Sequence, residues 1–273
     1  MNQITLWDSL RKPFKIDKPI RLITLFSGYD SQAMALKRLG ADFEHYRAIE
    51  FDKYAVASLN AVHGTNFELT DICTVKGVDL GIVDKERFTY LLTYSYPCTD
   101  LSLAGKQAGM AKGSGTRSSL IWEVERLLRE CNDLGNLPDV LIMENVTEAR
   151  GYKNKAHFDE WVKFLESFGY TNYAEDLNAA DYGCAQHRLR CFMVSILGDY
   201  NYKFPMPIPL RTVMADYLED EVDEKYYVKS QKAYDLIVKL CEDGKIPVLV
   251  DTGDNENDNA LTNERTNERT SLC

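Results

Sequence analysis

The chain has 273 residues, of which 45% are hydrophobic, and a formal net charge of −10 at pH 7. That length can bury a sizeable core in one large domain, or in one domain plus a fragment, and no run of about 18 apolar residues is present to cross a bilayer. The negative balance has the wrong sign for a protein that holds nucleic acid by bulk electrostatics, so any phosphate contact has to be local.

The opening Met1-Asn2-Gln3-Ile4 lacks the basic and apolar segments of a signal peptide, and a cytoplasmic location is expected. Seven cysteines (Cys73, Cys98, Cys131, Cys184, Cys191, Cys241 and Cys273) show no short paired spacing of a metal site, and their odd number argues against a disulfide framework. Reduced thiols and no metal are expected.

Residues 1–19 contain two prolines and read as an N-terminal arm. Residues 21–26 (Arg-Leu-Ile-Thr-Leu-Phe) form a short apolar run suited to a buried strand. Ser27-Gly28-Tyr29-Asp30 then makes a turn, and residues 31–39 carry Ala33, Met34, Leu36 and Leu39 at helical spacing before Gly40. A strand, a glycine turn and a helix start suit a bound cofactor, because Gly28 permits close approach and the helix offers unpaired N–H groups. An ordinary strand-helix turn would look the same.

Residues 46–50 read as a second strand ending in Glu50, about 20 positions past the glycine turn, where a doubly wound fold places a carboxylate on a nucleoside ribose. Phe51 would offer an apolar face to the base. A helix over 54–62 precedes Asp71-Ile72.

The run at 88–94 predicts a buried strand, and Pro97 fixes the backbone just before Cys98 at its carboxyl end. Most free cysteines are small buried hydrophobes, so the thiol alone identifies nothing. After it, residues 103–117 hold four glycines, the cations Lys106, Lys112 and Arg117, and no carboxylate. Such a stretch can close over an anion or simply remain a solvated loop.

A helix over 118–131 leads to a strand over 139–143 that ends in Glu144-Asn145-Val146, so a carboxylate emerges at the same sheet edge as the thiol. A helix over 157–168 follows. Strands at 173–177 and 191–196, with no helix between them, predict an antiparallel edge pair. The alternation from about 20 to 170 predicts one α/β, doubly wound domain. Composition shifts near 199: Pro205, Pro207 and Pro209 suggest an extended linker, residues 218–225 are acidic, and 231–241 form an amphipathic helix. The repeated Thr-Asn-Glu-Arg near the end is polar enough to be disordered.

Pro97-Cys98 with Ser102 and Gly105-Lys106-Gln107, then Glu144-Asn145-Val146, then Gln186-His187-Arg188-Leu189-Arg190, together with Glu50-Phe51-Asp52-Lys53-Tyr54-Ala55, resembles the cytosine-C5 methyltransferases in identity, order and spacing. The resemblance covers about residues 22–196 and implies a Rossmann-like methyltransferase sheet. It implies domains at 1–19 (arm), 20–204 (catalysis) and 205–273 (linker, partial target-recognition region and tail). It implies S-adenosyl-L-methionine held by Phe26, Ser27, Gly28, Tyr29, Glu50, Phe51, Asp71, Ile72 and Pro97. Catalysis falls to Cys98, Glu144 and Arg188 or Arg190. Contacts to the nucleic acid fall to Ser102, Lys106, Gln107, Lys112, Arg117, Asn145 and Gln186.

In the family's turn further glycines are usual, where this chain has Tyr29-Asp30-Ser31, and nothing past residue 205 matches the family's recognition region or its returning helix. Double-stranded DNA is the expected partner, with a separate C-terminal segment or subunit to complete the site. A tRNA substrate, and a non-catalytic product that binds cofactor or a partner, stay open as alternatives.

Overall fold

The computed structural model describes residues 11–98, 112–113, 115–227 and 229–244. Among them, six strands form one sheet: β1 (Ile20–Leu25), β2 (Phe43–Ile49), β3 (Thr89–Tyr94), β4 (Val140–Asn145), β5 (Tyr170–Asn178) and β6 (Leu189–Leu197). Their order is β2-β1-β3-β4-β6-β5. The first four strands are mutually parallel, while β6 runs antiparallel to β4 and to β5. The expected antiparallel edge pair is therefore present.

The sheet is covered on both faces, and β1 shows why its sequence is apolar throughout. Ile23 and Leu25 enter one core layer with Leu92, Leu141 and Met193. That layer also takes Leu127 and Leu128 of α3 (Ile121–Asp133) and Trp161 and Leu165 of α4 (Lys155–Ser167). Ile20 and Leu22 point to the opposite layer, beside Leu91, Val140, Val194 and Ala33 of α1 (Ser31–Arg38). The period-2 alternation of one strand thus feeds two cores. Helix α2 (Lys53–His63) is capped by Asp52, whose carboxylate accepts from Tyr54 N and Ala55 N, and stops at Gly64 in the left-handed conformation.

Several boundaries differ from the sequence reading for identifiable reasons. Strand β4 runs through Glu144 and Asn145 because both pair with β6, opposite Phe192 and Cys191. The helix expected from 118 begins as a 3-10 turn over Arg117–Leu120, with Thr116 Oγ1 accepting from Ser119 N, before α3 proper.

The chain divides into two compact units, residues 1–216 and 217–273. The division falls beyond the linker boundary expected at 204/205 because the proline segment is tied back: Ile208 N donates to Asp181 O at 2.8 Å and Tyr182 Oη donates to Pro205 O at 3.0 Å. The described part of the N-terminal arm also joins the first unit, where Lys12–Pro13 pairs in parallel with Tyr200–Asn201 and Phe14 meets the edge of Tyr200. In the second unit, α5 (Gln231–Glu242) is capped by Ser230 Oγ, which accepts from Ala233 N. The repeated tail lies outside the described residues. No helix among the described residues is long and apolar enough to cross a membrane.

Candidate active site

Both halves of the site sit where the parallel strands end. At the end of β1 the chain turns sharply: Phe26, Gly28 and Asp30 all have φ between 56° and 60°. The turn is held from beneath, Phe26 N donating to Ile49 O at 2.9 Å at the tip of β2. Asp30 is fully buried; its carboxylate accepts from Ala33 N at 3.1 Å and Thr24 Oγ1 at 2.8 Å, and lies 2.6 Å from His45 Nε2. Short polar side chains tolerate the left-handed region by such local bonds, so Asp30 does here what a glycine would otherwise permit.

Glu50 follows β2 directly and locks the turn to the second strand. Its Oε2 accepts from Gly28 N at 2.8 Å, and its Oε1 accepts from Phe51 N and Asp52 N, each at 2.9 Å. These groups border a cleft of ≈ 800 Å3 whose lining includes Phe26, Gly28, Glu50, Phe51, Asp71, Ile72 and Pro97. Seven of the nine expected cofactor residues are therefore brought together; Ser27 is buried and Tyr29 is exposed, and neither lines the cleft. A Cβ on Gly28 would meet nothing within 4 Å, so the backbone faces open space. Asp71 caps the 3-10 turn Ile72–Thr74 by accepting from Cys73 N at 2.9 Å. The cleft also draws in Thr70, Cys73, Ser95, Leu120 and Arg117, of which only Arg117 was singled out in the sequence, as a loop cation for DNA. The volume suits a nucleoside-sized ligand, and the mix of apolar walls with a few convergent acceptors fits S-adenosyl-L-methionine.

The second half is built on β3 and β4. Cys98, half-buried, comes four residues after Tyr94, and Tyr94 stands opposite Met143, the residue before Glu144. The backbone before the thiol is fastened from two sides, Ser118 Oγ donating to Pro97 O at 2.7 Å and Asn145 Nδ2 donating to Tyr96 O at 2.9 Å. Asn145 is buried and its Oδ1 accepts from Val146 N at 2.8 Å. Expected as a nucleic-acid contact, Asn145 instead spends its amide inside the protein, positioning the Pro97-Cys98 backbone. Ser118 could not be found from the sequence, since it opens an apolar helical pattern like any other serine.

Glu144 pairs with Phe192 in the sheet, and Arg190, two residues away on the same face of β6, reaches back to it: Arg190 Nε lies 3.1 Å from Glu144 Oε1, both side chains about a quarter exposed. Arg188 is exposed, its backbone clasped by Asn178 Oδ1 and Ala179 N. Of the two candidate arginines, Arg190 is the one that meets Glu144. Gln186 is exposed on the preceding loop.

Lys112 departs from its expected role as a phosphate contact. Its ammonium donates to both carboxylate oxygens of buried Glu125 at 2.8 and 2.9 Å and stands 5.1 Å over the Trp122 ring, with Arg129 as a second partner of Glu125. A carboxylate that is 4% exposed has to be neutralised, and this demand takes the lysine. Ser102, Lys106 and Gln107 lie outside the described residues. Burial pushes the thiols of Cys131 and Cys191 up to about 12, as befits cysteines that serve packing.

The sequence profile described as C-5 cytosine-specific DNA methylase matches residues 20–271. The Type II methyltransferase M2.ScrFI of Lactococcus lactis subsp. cremoris is 31% identical over 264 residues, covering 79% of this chain and 72% of that protein. The orphan methyltransferase M.SssI of Spiroplasma monobiae is 43% identical over 149 residues, 54% of this chain but only 36% of its own length. Among solved structures, the S. pombe Dnmt2 methyltransferase superposes with a TM-score of 0.60 at 22% identity over 81% of this chain and 66% of that one, which is a likeness of fold. With a matching profile over nearly the whole chain and the thiol, carboxylate and arginine of the motifs gathered at one sheet edge, the chain belongs to the C-5 cytosine-specific DNA methylase family.

Proposed function

We propose that the chain transfers a methyl group from S-adenosyl-L-methionine to C5 of a cytosine flipped out of DNA, through a covalent bond between Cys98 and C6 of the base. The observation that carries this reading is the Glu144–Arg190 pair, 3.1 Å apart across β4 and β6, with β4 next to the strand that leads to Cys98 and with Pro97, the residue before the thiol, lining the Glu50 cleft. When bound in that cleft, the cofactor would supply an electrophilic methyl group, the S–CH3 bond breaking with its electron pair left on sulfur and S-adenosyl-L-homocysteine as the leaving product. Glu50 orients it through the ribose, and Phe51 covers the adenine.

Cytosine is too electron-poor at C5 to take a methyl directly. Addition of the Cys98 thiolate at C6 moves an electron pair to C5 and N3. Glu144 receives the N3 and exocyclic amine edge, and Arg190 binds O2 and stabilises the charge that accumulates on the ring. C5 then forms its bond to the methyl carbon. Loss of the C5 proton to a base and expulsion of the thiolate from C6 restore the aromatic ring. A stacked base cannot reach such a pocket, so the nucleotide has to leave the duplex.

The test uses a tritiated methyl donor with unmethylated genomic DNA and, separately, tRNA. Label in 5-methylcytosine of DNA supports the reading; label confined to tRNA overturns its substrate. A duplex carrying 5-fluorocytosine should trap wild-type protein as a denaturant-stable adduct, and adduct formation by Cys98→Ala would remove Cys98 from the chemistry.

A further inference from the structure

Beyond the base pocket, the turn that follows Glu144 presents a tyrosine in an unusual way. Tyr152 is 97% exposed, the most exposed large hydrophobic residue among the described residues. A single exposed aromatic is unremarkable on a loose loop. This one sits on a turn that is tightly bonded. Ala149 N donates to Val146 O, Arg150 N to Thr147 O, Gly151 N to Glu148 O and Asn154 N to Gly151 O, all between 2.9 and 3.1 Å. Buried Asn154 adds its Nδ2 to Glu148 O at 2.9 Å. A Cβ on Gly151 would stand 3.2 Å from Glu148 O, closer than an ordinary contact, so the turn is tight at this point. Ala149, fully buried, roots the turn in the core, and Arg150 pins it to Asp176 of β5 at 3.2 Å. The turn that carries the ring thus follows the carboxyl end of β4, with Tyr152 eight residues past Glu144 and Arg150 and Lys153 close by in the chain.

We infer that Tyr152 is a stacking platform for a nucleobase next to the target cytosine. The inference rests on the proposed function, because extruding one nucleotide breaks the stack on both sides of it and leaves neighbouring base faces in need of a partner. An exposed aromatic on a bonded turn at the end of the strand that carries Glu144 meets that need. The contact reads no sequence, as every base has such a face.

Binding of a cytosine-containing single-stranded oligonucleotide, whose bases are already unstacked, and of the same sequence as a duplex is measured by fluorescence anisotropy across a salt series. The proteins are wild type, Tyr152→Ala, Tyr152→Phe and Tyr152→Leu. Tyr152→Ala should weaken binding to the single strand roughly 5- to 150-fold, the range for one lost stacked base, while Tyr152→Phe stays within about twofold of wild type because stacking needs no hydroxyl. Tyr152→Leu should resemble Tyr152→Ala. The salt slope should be the same for all four, since no phosphate contact is removed. Unchanged affinity in Tyr152→Ala overturns the inference, as does Leu serving as well as Phe, which would mean plain apolar contact. An equal loss in Tyr152→Ala and Tyr152→Phe also overturns it, by assigning the residue's contribution to a hydroxyl hydrogen bond rather than to the ring. If wild-type protein binds neither nucleic acid, the inference fails together with the proposed function; if wild type binds and Tyr152→Ala binds equally, the inference fails alone.

Discussion

Glu50 offers the sharpest quantitative check on the cofactor cleft. An ionised carboxylate has about four acceptor positions, and three of them are filled by Gly28 N, Phe51 N and Asp52 N at 2.8 to 2.9 Å. One position is left for a ribose hydroxyl. Replacing Glu50→Ala removes one charge-assisted hydrogen bond to the ligand, about 1.5 to 3 kcal/mol, which is roughly a 13- to 160-fold loss of affinity at 1.36 kcal/mol per decade. It also leaves the Gly28 amide without its acceptor. Glu50→Gln should not rescue the loss. Its single amide oxygen is best used on the Phe51 and Asp52 amides, and its NH2 then faces the Gly28 N–H, donor against donor. Calorimetric titration with S-adenosyl-L-homocysteine measures the affinity without turnover, and hydrogen exchange at the Gly28 amide reports the loosened turn. Wild-type affinity in Glu50→Gln, or a loss below twofold in Glu50→Ala, would refute the reasoning and take Glu50 out of the site.

Other consequences are open to direct measurement. Asn145→Ala should lower stability to urea by about 1 to 3 kcal/mol, because Tyr96 O and Val146 N lose a buried partner, and it should slow trapping on 5-fluorocytosine; unchanged unfolding would show that water satisfies both groups. Lys112→Ala should cost about 1 kcal/mol, less than the full price of an orphaned buried charge because Arg129 stays beside Glu125, and a double-mutant cycle with Glu125→Ala should recover that coupling. Native-state alkylation at pH 8 should label exposed Cys73 and Cys184 well before Cys131 and Cys191, whose buried thiols are pushed up to about 12; labelling at equal rates would contradict their burial. The Gly77 amide, 2.6 Å away, and then Arg126 hold the Glu130 carboxyl below the usual carboxylate range. A depressed value in the folded state contributes stability above the unfolded-state pKa and loses it as pH falls through the folded one. The melting-temperature gap between wild type and Glu130→Gln should therefore shrink on acidification below about pH 4.5, and a gap independent of pH would exclude the linkage.

The sheet was legible because its strands are apolar enough to be buried on both faces, and Cys98, Glu144 and Glu50 because each follows such a run. What depends on pairing between distant segments was not. Choosing Arg190 over Arg188 requires the register that sets Phe192 opposite Glu144. Lys112 looks like a loop cation until Glu125, which carries nothing in the helical pattern to mark it as buried, takes its charge. Asp30 reads as a departure from a glycine turn. In the structure it is what holds that turn, through Thr24 six residues before it and His45 fifteen after it. His45 in turn packs at 4.7 Å on Phe67 and at 5.2 Å on His63, whose Nε2 meets Tyr29 O at 2.9 Å. The local sequence states which glycines are missing, and only the tertiary cluster states what replaces them.

That same accounting of partners bears on how a chain with net charge −10 would hold a polyanion. Of the cations singled out near the chemistry, Lys112 is neutralised by Glu125 and Arg190 by Glu144. Among the described residues this leaves Arg117, at the cofactor cleft, and Arg188, beyond the paired arginine. Each phosphate contact contributes about 0.9 to the slope of log affinity against log salt on duplex DNA, so two such cations give a shallow dependence. On the proposed reading, affinity in this unit would then rest on short-range terms that salt does not screen: the edge contacts of Glu144 and Arg190 to one base and the face contact of Tyr152 to the next. A site organised this way gains its binding energy mainly after the nucleotide has left the stack, when those groups first meet their partners, so the interaction favours the extruded state over the paired one.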